Sequence, residues 1–184
     1  KLDDNSGYNN IAYLGNDLTI TANDPSFVPG YINNALYFDG SNDYVRVENS
    51  PILNPSNITI IALINGTSWT SPNEVHRIVR KDYQYILSIS NSGKIGCWFY
   101  IAGAWRGSDN LGTTILNTSQ WYFVSCVYNG THILAYLNGK LDGYTTYSGA
   151  ISTSSNPLYI GAFGTSERFN GIIDEVRIYN RALS

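Results

Sequence analysis

Glycine-containing turn pairs punctuate this chain at short intervals: Asp39-Gly40, Asn65-Gly66, Ser92-Gly93, Asn129-Gly130, Asn138-Gly139, Asp142-Gly143 and Asn170-Gly171. Such pairs take up the positive φ that a tight antiparallel reversal demands. Between them lie stretches of strand character, at 35–39, 43–48, 57–65, 75–81, 84–90, 94–102, 120–128, 131–138, 140–146, 157–162 and 171–179. No window of a dozen residues carries a 3.6-residue apolar period with end caps, so long helices are excluded. Many short strands joined by turns specify an all-β, two-sheet antiparallel sandwich or jelly roll.

The best-determined local element is the hairpin Trp121–Tyr128 and Thr131–Asn138 around Asn129-Gly130. Residues 8–34 are dense in Asn, Gly and Pro, and only Leu18–Ala22 has strand character there. No linker, internal repeat or low-complexity block interrupts residues 1–184, a length that suits one all-β domain with a substantial core. The opening run, Lys1-Leu-Asp-Asp-Asn-Ser-Gly7, carries no signal peptide, which implies a processed protein or a domain excised from a longer one.

The final strand holds a chemical tension. In Gly171-Ile-Ile-Asp-Glu-Val-Arg-Ile-Tyr179, alternation puts Ile172, Asp174, Val176 and Ile178 on one face and Ile173, Glu175, Arg177 and Tyr179 on the other. The second face carries two charges and a phenol and is expected to be the outer one, which turns Asp174 inward. A buried carboxylate costs several kcal/mol unless it is paired or bound to a cation. The turn Asp39-Gly40-Ser41-Asn42-Asp43 offers carboxylates and carbonyls that could hold calcium, since Gly40 lets the backbone curl. The metal-free alternative is that Asp174 accepts hydrogen bonds from backbone N–H groups of that turn. Asp3, Asp4 and Asp24 are expected on solvated loops.

The run Asn34-Ala-Leu-Tyr-Phe-Asp-Gly-Ser-Asn-Asp-Tyr-Val45 resembles the entry motif of laminin-G-like, concanavalin A-like jelly-roll domains. Trp121–Thr131 with Ala135–Lys140 resembles their central hairpin, and Gly171–Ser184 their closing strand. The resemblance spans essentially the whole chain. It implies a structural Ca2+ site with Asp39, Asp43 and Asp174 at the matching positions, Gly40 beside them, and a role in binding sugars or other ligands.

Glucanases of this fold place their carboxylates along one strand as Glu-x-Asp-x-x-Glu, and no such run occurs. Asp174 and Glu175 are adjacent; Glu48, Glu74 and Glu167 have no acidic residue two positions away. Glycoside hydrolysis needs two carboxyls about 5–9.5 Å apart over one cleft. His76 and His132 read as packing or surface groups, and no nucleophile elbow, phosphate loop or HExxH is present. A non-enzymatic, lectin-like module is the expectation, with a protein-binding or adhesive surface module as the alternative and a degenerate hydrolase relative as a third.

Sugar sites combine an aromatic face with planar polar groups. Trp105 and Arg106 after the Gly103 turn, with Asp109 and Asn110, have that mixture; Tyr83, Tyr85 and Trp69 are nearby candidates. Tyr144 with Tyr147, and Phe163 with Arg168, form further aromatic groups, whereas Trp98 and Trp121 are assigned to the core.

Only 14% of residues are charged and the net charge is −3, while Tyr numbers fifteen. A surface made polar by amides and phenols suits a secreted or cell-surface protein that handles glycans. Arg77, Arg80 and Lys81 form the densest cationic stretch, too short for a nucleic-acid footprint. No apolar stretch is long enough to span a bilayer. Cys97 and Cys126 each lie in a strand-like run; buried thiols are the preferred reading and a bridge the alternative. Asn57, Asn65, Asn117 and Asn129 open Asn-x-Ser/Thr tripeptides, which are frequent by chance in a chain of this composition.

Overall fold

Two seven-stranded antiparallel sheets stack face to face in the computed structural model, which describes residues 2, 4–15, 21, 24–70, 75–163 and 167–183. The strand expected at Leu18–Ala22 lies, apart from Thr21, outside the described residues, as do Asp3 and Glu74. In chain order the strands are β1 Ala12–Leu14, β2 Ser26–Pro29, β3 Asn34–Asp39, β4 Val45–Val47, β5 Ile58–Gly66, β6 His76–Lys81 and β7 Tyr85–Ile89. They continue with β8 Ile95–Ile101, β9 Ala104–Ser108, β10 Tyr122–Tyr128, β11 His132–Leu137, β12 Lys140–Thr146, β13 Leu158–Ile160 and β14 Asn170–Tyr179. A 3-10 turn occupies Pro51–Leu53.

The first sheet runs β1-β4-β13-β6-β7-β8-β9 and the second β12-β11-β10-β5-β14-β3-β2. Among the described residues, each of the eleven expected strand regions from 35–39 to 171–179 holds a strand; β1, β2 and β9 are additional. Asn138-Gly139, Asn129-Gly130 and Ser92-Gly93 do join paired strands. Asn170-Gly171, by contrast, is strand rather than turn, paired with Asp39 and Phe38 of β3.

Alternation builds the core. Along β5, Ile58, Ile60, Ala62 and Ile64 are wholly buried and point between the sheets, while Ile61 and Leu63 are half-buried on the outer face. Each such isoleucine contributes about 1.5–3 kcal/mol on burial. Facing them from the first sheet are Tyr85, Leu87, Ile89, Cys97 and Phe99.

Cys97 of β8 and Cys126 of β10 form a disulfide with Cα atoms 5.8 Å apart, which corrects the free-thiol reading. The two belong to opposing sheets, so the bridge crosses the core; nothing local in either apolar run discloses that the two positions face each other. Closing a loop of 29 residues contributes about 3.6 kcal/mol on the chain-entropy model.

The cationic stretch is consumed inside the fold. Glu167 accepts from both Arg77 and Arg80, at 2.8 Å and 2.6 Å, and Arg80 also lies 3.4 Å over the Phe163 ring. Lys81 is wholly buried on the inward face of β6. Its Nζ donates to the Ser154 carbonyl at 2.6 Å and to Asn54 Oδ1 at 3.4 Å. Burial lowers the Lys81 ammonium from 10.5 to about 8.

Between those values the unfolded chain holds the proton and the folded chain releases it. The Lys81 contribution to stability is therefore expected to rise as pH increases above about 8. Urea unfolding from about pH 8 to about 9.5, below the range in which unfolded tyrosines ionise, should show the rise in the wild type and none in Lys81→Met; a rise of equal size in the variant would exclude Lys81 as its source.

Candidate functional site

The closing strand does not keep its alternation. Asp174 pairs with Leu63 and Arg177 with Ile61, leaving one extra residue in β14 between them. Glu175 occupies that bulge at φ +49°, a conformation that costs a non-glycine residue of order 1 kcal/mol. Side-chain parity therefore changes within the strand: Ile173 points into the core before the bulge, and Val176 and Ile178 pack toward it afterwards. Asp174, expected inward, projects from the outer face of the second sheet beside Leu63.

It is nevertheless only 5% exposed. The β2–β3 hairpin tip, Gly30 to Asn33, folds over it, closed by the Gly30 N–H donating to the Asn33 carbonyl at 2.9 Å. The Ile32 N–H donates to Asp174 Oδ2 at 2.9 Å. A Cβ at position 30 would lie 2.7 Å from that same oxygen and 2.9 Å from the Ala35 Cβ, so glycine is what permits the approach.

Anchored in this way, the tip presents Tyr31 and Ile32, which are 63% and 44% exposed. Tyr31 meets Trp121 edge to face with centroids 5.7 Å apart. The result is a groove of about 490 Å³ on the outer face of the second sheet. Ile61, Leu63 and Phe123 floor it; Tyr31 and Trp121 stand at one side, with Tyr179 and Asn138 also lining it. Glu175 and Arg177 line it too, the bulge having brought both to this face, and they pair with each other through Arg177 Nε at 2.9 Å. Aromatic rings, an apolar floor and a self-compensated charge pair make a surface suited to an uncharged ligand with both C–H faces and hydroxyls. Glu175 brings the one carboxyl among the groove-lining residues, where glycoside hydrolysis needs two.

The Asp39–Asp43 corner is a separate feature. Asp39 Oδ1 accepts the Ser41 N–H at 2.7 Å, the local chemistry of an Asp-Gly turn, and Asp43 Oδ2 accepts the Asp39 N–H at 2.8 Å. Asp39 is exposed and Asp43 buried. Register sets Asn170, not Asp174, opposite Asp39, which leaves Asp174 four residues, about 13 Å, along the strand. The three carboxylates thus do not converge on one ion. Among the described residues no group of three or more His, Cys, Asp or Glu side chains is disposed to hold a metal. Burial chiefly, and after it the Asp39 and Asp24 charges, push the Asp43 carboxyl above its ordinary range.

The remaining sequence candidates divide. Tyr85 is wholly buried with its hydroxyl donating to the Leu53 carbonyl, and Trp69 is 5% exposed with its indole N–H donating to the Leu116 carbonyl. Both are core residues rather than ligand contacts. Tyr83, Tyr100 and Trp105 form an edge-to-face series on the outer face of the first sheet, at 5.3 Å and 5.4 Å. Arg106 pairs with the inward Phe99 and sits over the Tyr147 ring, so it leaves β9 on the side opposite Trp105. Asn110 is exposed, its amide oxygen taken by Ser90 and Ser92.

Trp98 and Trp121, assigned to the core from sequence, are half-buried outside it. Trp98 alternates with inward Cys97 and Phe99 and donates to Asp109, and Trp121 belongs to the groove. The alternation of Cys97 and Phe99 about Trp98 was a readable signal. Nothing local marked Tyr31.

A family model described as the concanavalin A-like lectin/glucanases superfamily matches residues 39–184. No curated protein matches the chain. Among solved structures, domain 4 of AbnA, a GH43 extracellular arabinanase from Geobacillus stearothermophilus solved with arabinotriose, is similar at 17% identity and a TM-score of 0.70. That match covers 96% of this chain and 84% of the other. A candidate carbohydrate binding protein from Bacteroides ovatus is 25% identical, with a TM-score of 0.63 and coverage of 82% and 44%. The botulinum neurotoxin serotype D binding domain is 19% identical, with a TM-score of 0.71 and coverage of 98% and 46%. The chain thus spans most of the arabinanase domain and less than half of the other two.

Asp174→Ala leaves the Ile32 N–H without its partner and is expected to lower unfolding free energy by about 1–3 kcal/mol. Native-state hydrogen exchange should show the Ile32 amide losing protection, with Asp174→Asn retaining most of it. Unchanged exchange in the alanine variant would remove Asp174 as the anchor of the hairpin tip.

Proposed function

The chain belongs to the concanavalin A-like lectin/glucanase superfamily, and from that premise we propose that it is a non-catalytic carbohydrate-binding module whose glycan lies in the groove over Ile61, Leu63 and Phe123. The observation that carries this reading is the union, in one concavity, of Trp121, Tyr31 and Tyr179 with the planar polar groups of Asn138 and the Glu175–Arg177 pair. The aromatic rings offer apolar surface to the C–H side of a sugar, and the amide, carboxylate and guanidinium can read its hydroxyls. The single carboxyl lining the groove, already bonded to Arg177, favours holding a glycan over cleaving one. The arabinotriose bound by the arabinanase domain of the same fold supports the ligand class.

Residence outside the cell, secreted or at a surface, belongs to the same proposal, supported by the core disulfide. A secondary contact along the edge-to-face Tyr83–Tyr100–Trp105 series is the place left for the Trp105 candidate.

A glycan array is the first test, followed by titration of an array-positive oligosaccharide with the melting temperature monitored. Trp121→Ala is expected to weaken binding at least tenfold, about 1.4 kcal/mol, with little change in melting temperature. Silence across neutral and acidic glycans would overturn the reading and favour a protein-binding adhesive module.

Structural calcium is proposed at the Asp39–Asp43 corner alone, where a divalent cation would offset the repulsion that Asp39 and Asp24 exert on Asp43. Calcium should raise the melting temperature and chelator lower it, and Asp43→Asn should abolish the response. Identical melting of the wild type in calcium and in chelator would sink the calcium proposal without touching the groove.

A further inference from the structure

The groove continues past the residues that define its concave part. Paired residues in an antiparallel sheet project to the same side. Arg177 pairs with Ile61, Ile61 with Ser125, Ser125 with Tyr136, and Tyr136 with Leu141, so one row of outward side chains crosses β14, β5, β10, β11 and β12, with a register shift beside Arg177 and another beside Tyr136. At the inter-strand spacing of a β-sheet this row is about 19 Å long.

Its relief is that of a shallow trough. Ser125, at the centre, is only 4% exposed, whereas Tyr136 is half-buried and Leu141 is 51% exposed. To one side lie Leu63 and Phe123, the neighbouring row of the groove floor, and beyond them Trp121 and the Tyr31 hairpin tip. Along the other, the chain after β14 crosses over Thr59, whose hydroxyl donates to the Arg181 carbonyl at 2.9 Å and accepts the Leu183 N–H at 2.9 Å. β12 is the edge of the sheet, so the trough runs out at Leu141 with no further strand to stop it. In this row the charged residue is Arg177, and Glu175 compensates it.

We infer that the ligand is a linear, uncharged polysaccharide held along several consecutive sugar units, with Tyr136 and Leu141 forming a second contact region remote from Trp121. The inference rests on the proposed carbohydrate-binding reading. A site for a terminal sugar would need only the pocket beside Trp121; a trough open at the sheet edge, with apolar and aromatic side chains at both ends and no net charge between, fits the interior of a neutral chain.

The test is a calorimetric titration of linear arabino-, xylo-, gluco- and manno-oligosaccharides, each from two to six units, with an oligogalacturonate series as the charged comparison. For the neutral series that binds, affinity is expected to climb at least tenfold between two and about five units and then level off. Tyr136→Ala should bring the affinity for the six-unit chain down toward that of the shorter members and leave the two-unit affinity unchanged, while Trp121→Ala weakens every length. Leu141→Glu, at an exposed position, should reproduce the long-chain loss if Tyr136→Ala melts early.

Equal affinity at all lengths, an equal loss at all lengths in both Tyr136→Ala and Leu141→Glu, or preference for the galacturonates would overturn the inference while carbohydrate binding stands. Absence of binding to every oligosaccharide, with a silent array, would overturn both.

Discussion

A single hydrogen bond, from the Ile32 N–H to the Asp174 carboxylate, holds the arrangement on which the rest of the binding surface depends. The carboxylate rises from the outer face of a central strand of the second sheet, and the β2–β3 hairpin tip closes over it. Without that partner the carboxylate would be a buried anion lacking its donor, and the tip would have no polar reason to lie down on the sheet. With it, Tyr31 reaches Trp121 and a flat sheet face becomes a groove. Gly30 is the steric condition for the contact, because any Cβ there would meet the carboxylate and Ala35.

The bulge at Glu175 is the second element of the same construction. By adding one residue to β14 it lets Ile173, Val176 and Ile178 all serve the core, although their spacing does not obey a period of two. It also sends Glu175 and Arg177 outward as a mutually neutralised pair. The core and the groove are thus supplied by one strand through one local irregularity, consistent with the tendency of bulges to re-aim side chains next to functional sites. The disulfide reinforces the sandwich from within, joining β8 to β10, the strand that carries Phe123 into the groove floor.

Charge is handled sparingly and locally. Glu167 absorbs Arg77 and Arg80, Glu175 absorbs Arg177, and Lys81 is buried against carbonyl and amide oxygens rather than a carboxylate. What remains at the groove is aromatic, amide and hydroxyl chemistry. That balance suits recognition of neutral polymers, whose free energy comes from many weak stacking and hydrogen-bonding contacts rather than from a few strong ion pairs.

The turn pairs and the alternating apolar runs by themselves determined the all-β sandwich, because period-two burial and positive-φ turns are local properties written into neighbouring residues. They also exposed Asp174 as a carboxylate in need of a partner from the first quarter of the chain. Only the tertiary structure decided which partner: the Ile32 N–H rather than the Asp39–Asp43 corner, since strand register brings Asn170 to that corner instead. It likewise decided that Trp121 serves a groove while Trp69 and Tyr85 serve the core, and that Cys97 faces Cys126. Each of these depends on which face, sheet or register a residue occupies across distant segments, and a one-residue bulge or a strand pairing can reverse that assignment without altering anything local in the sequence.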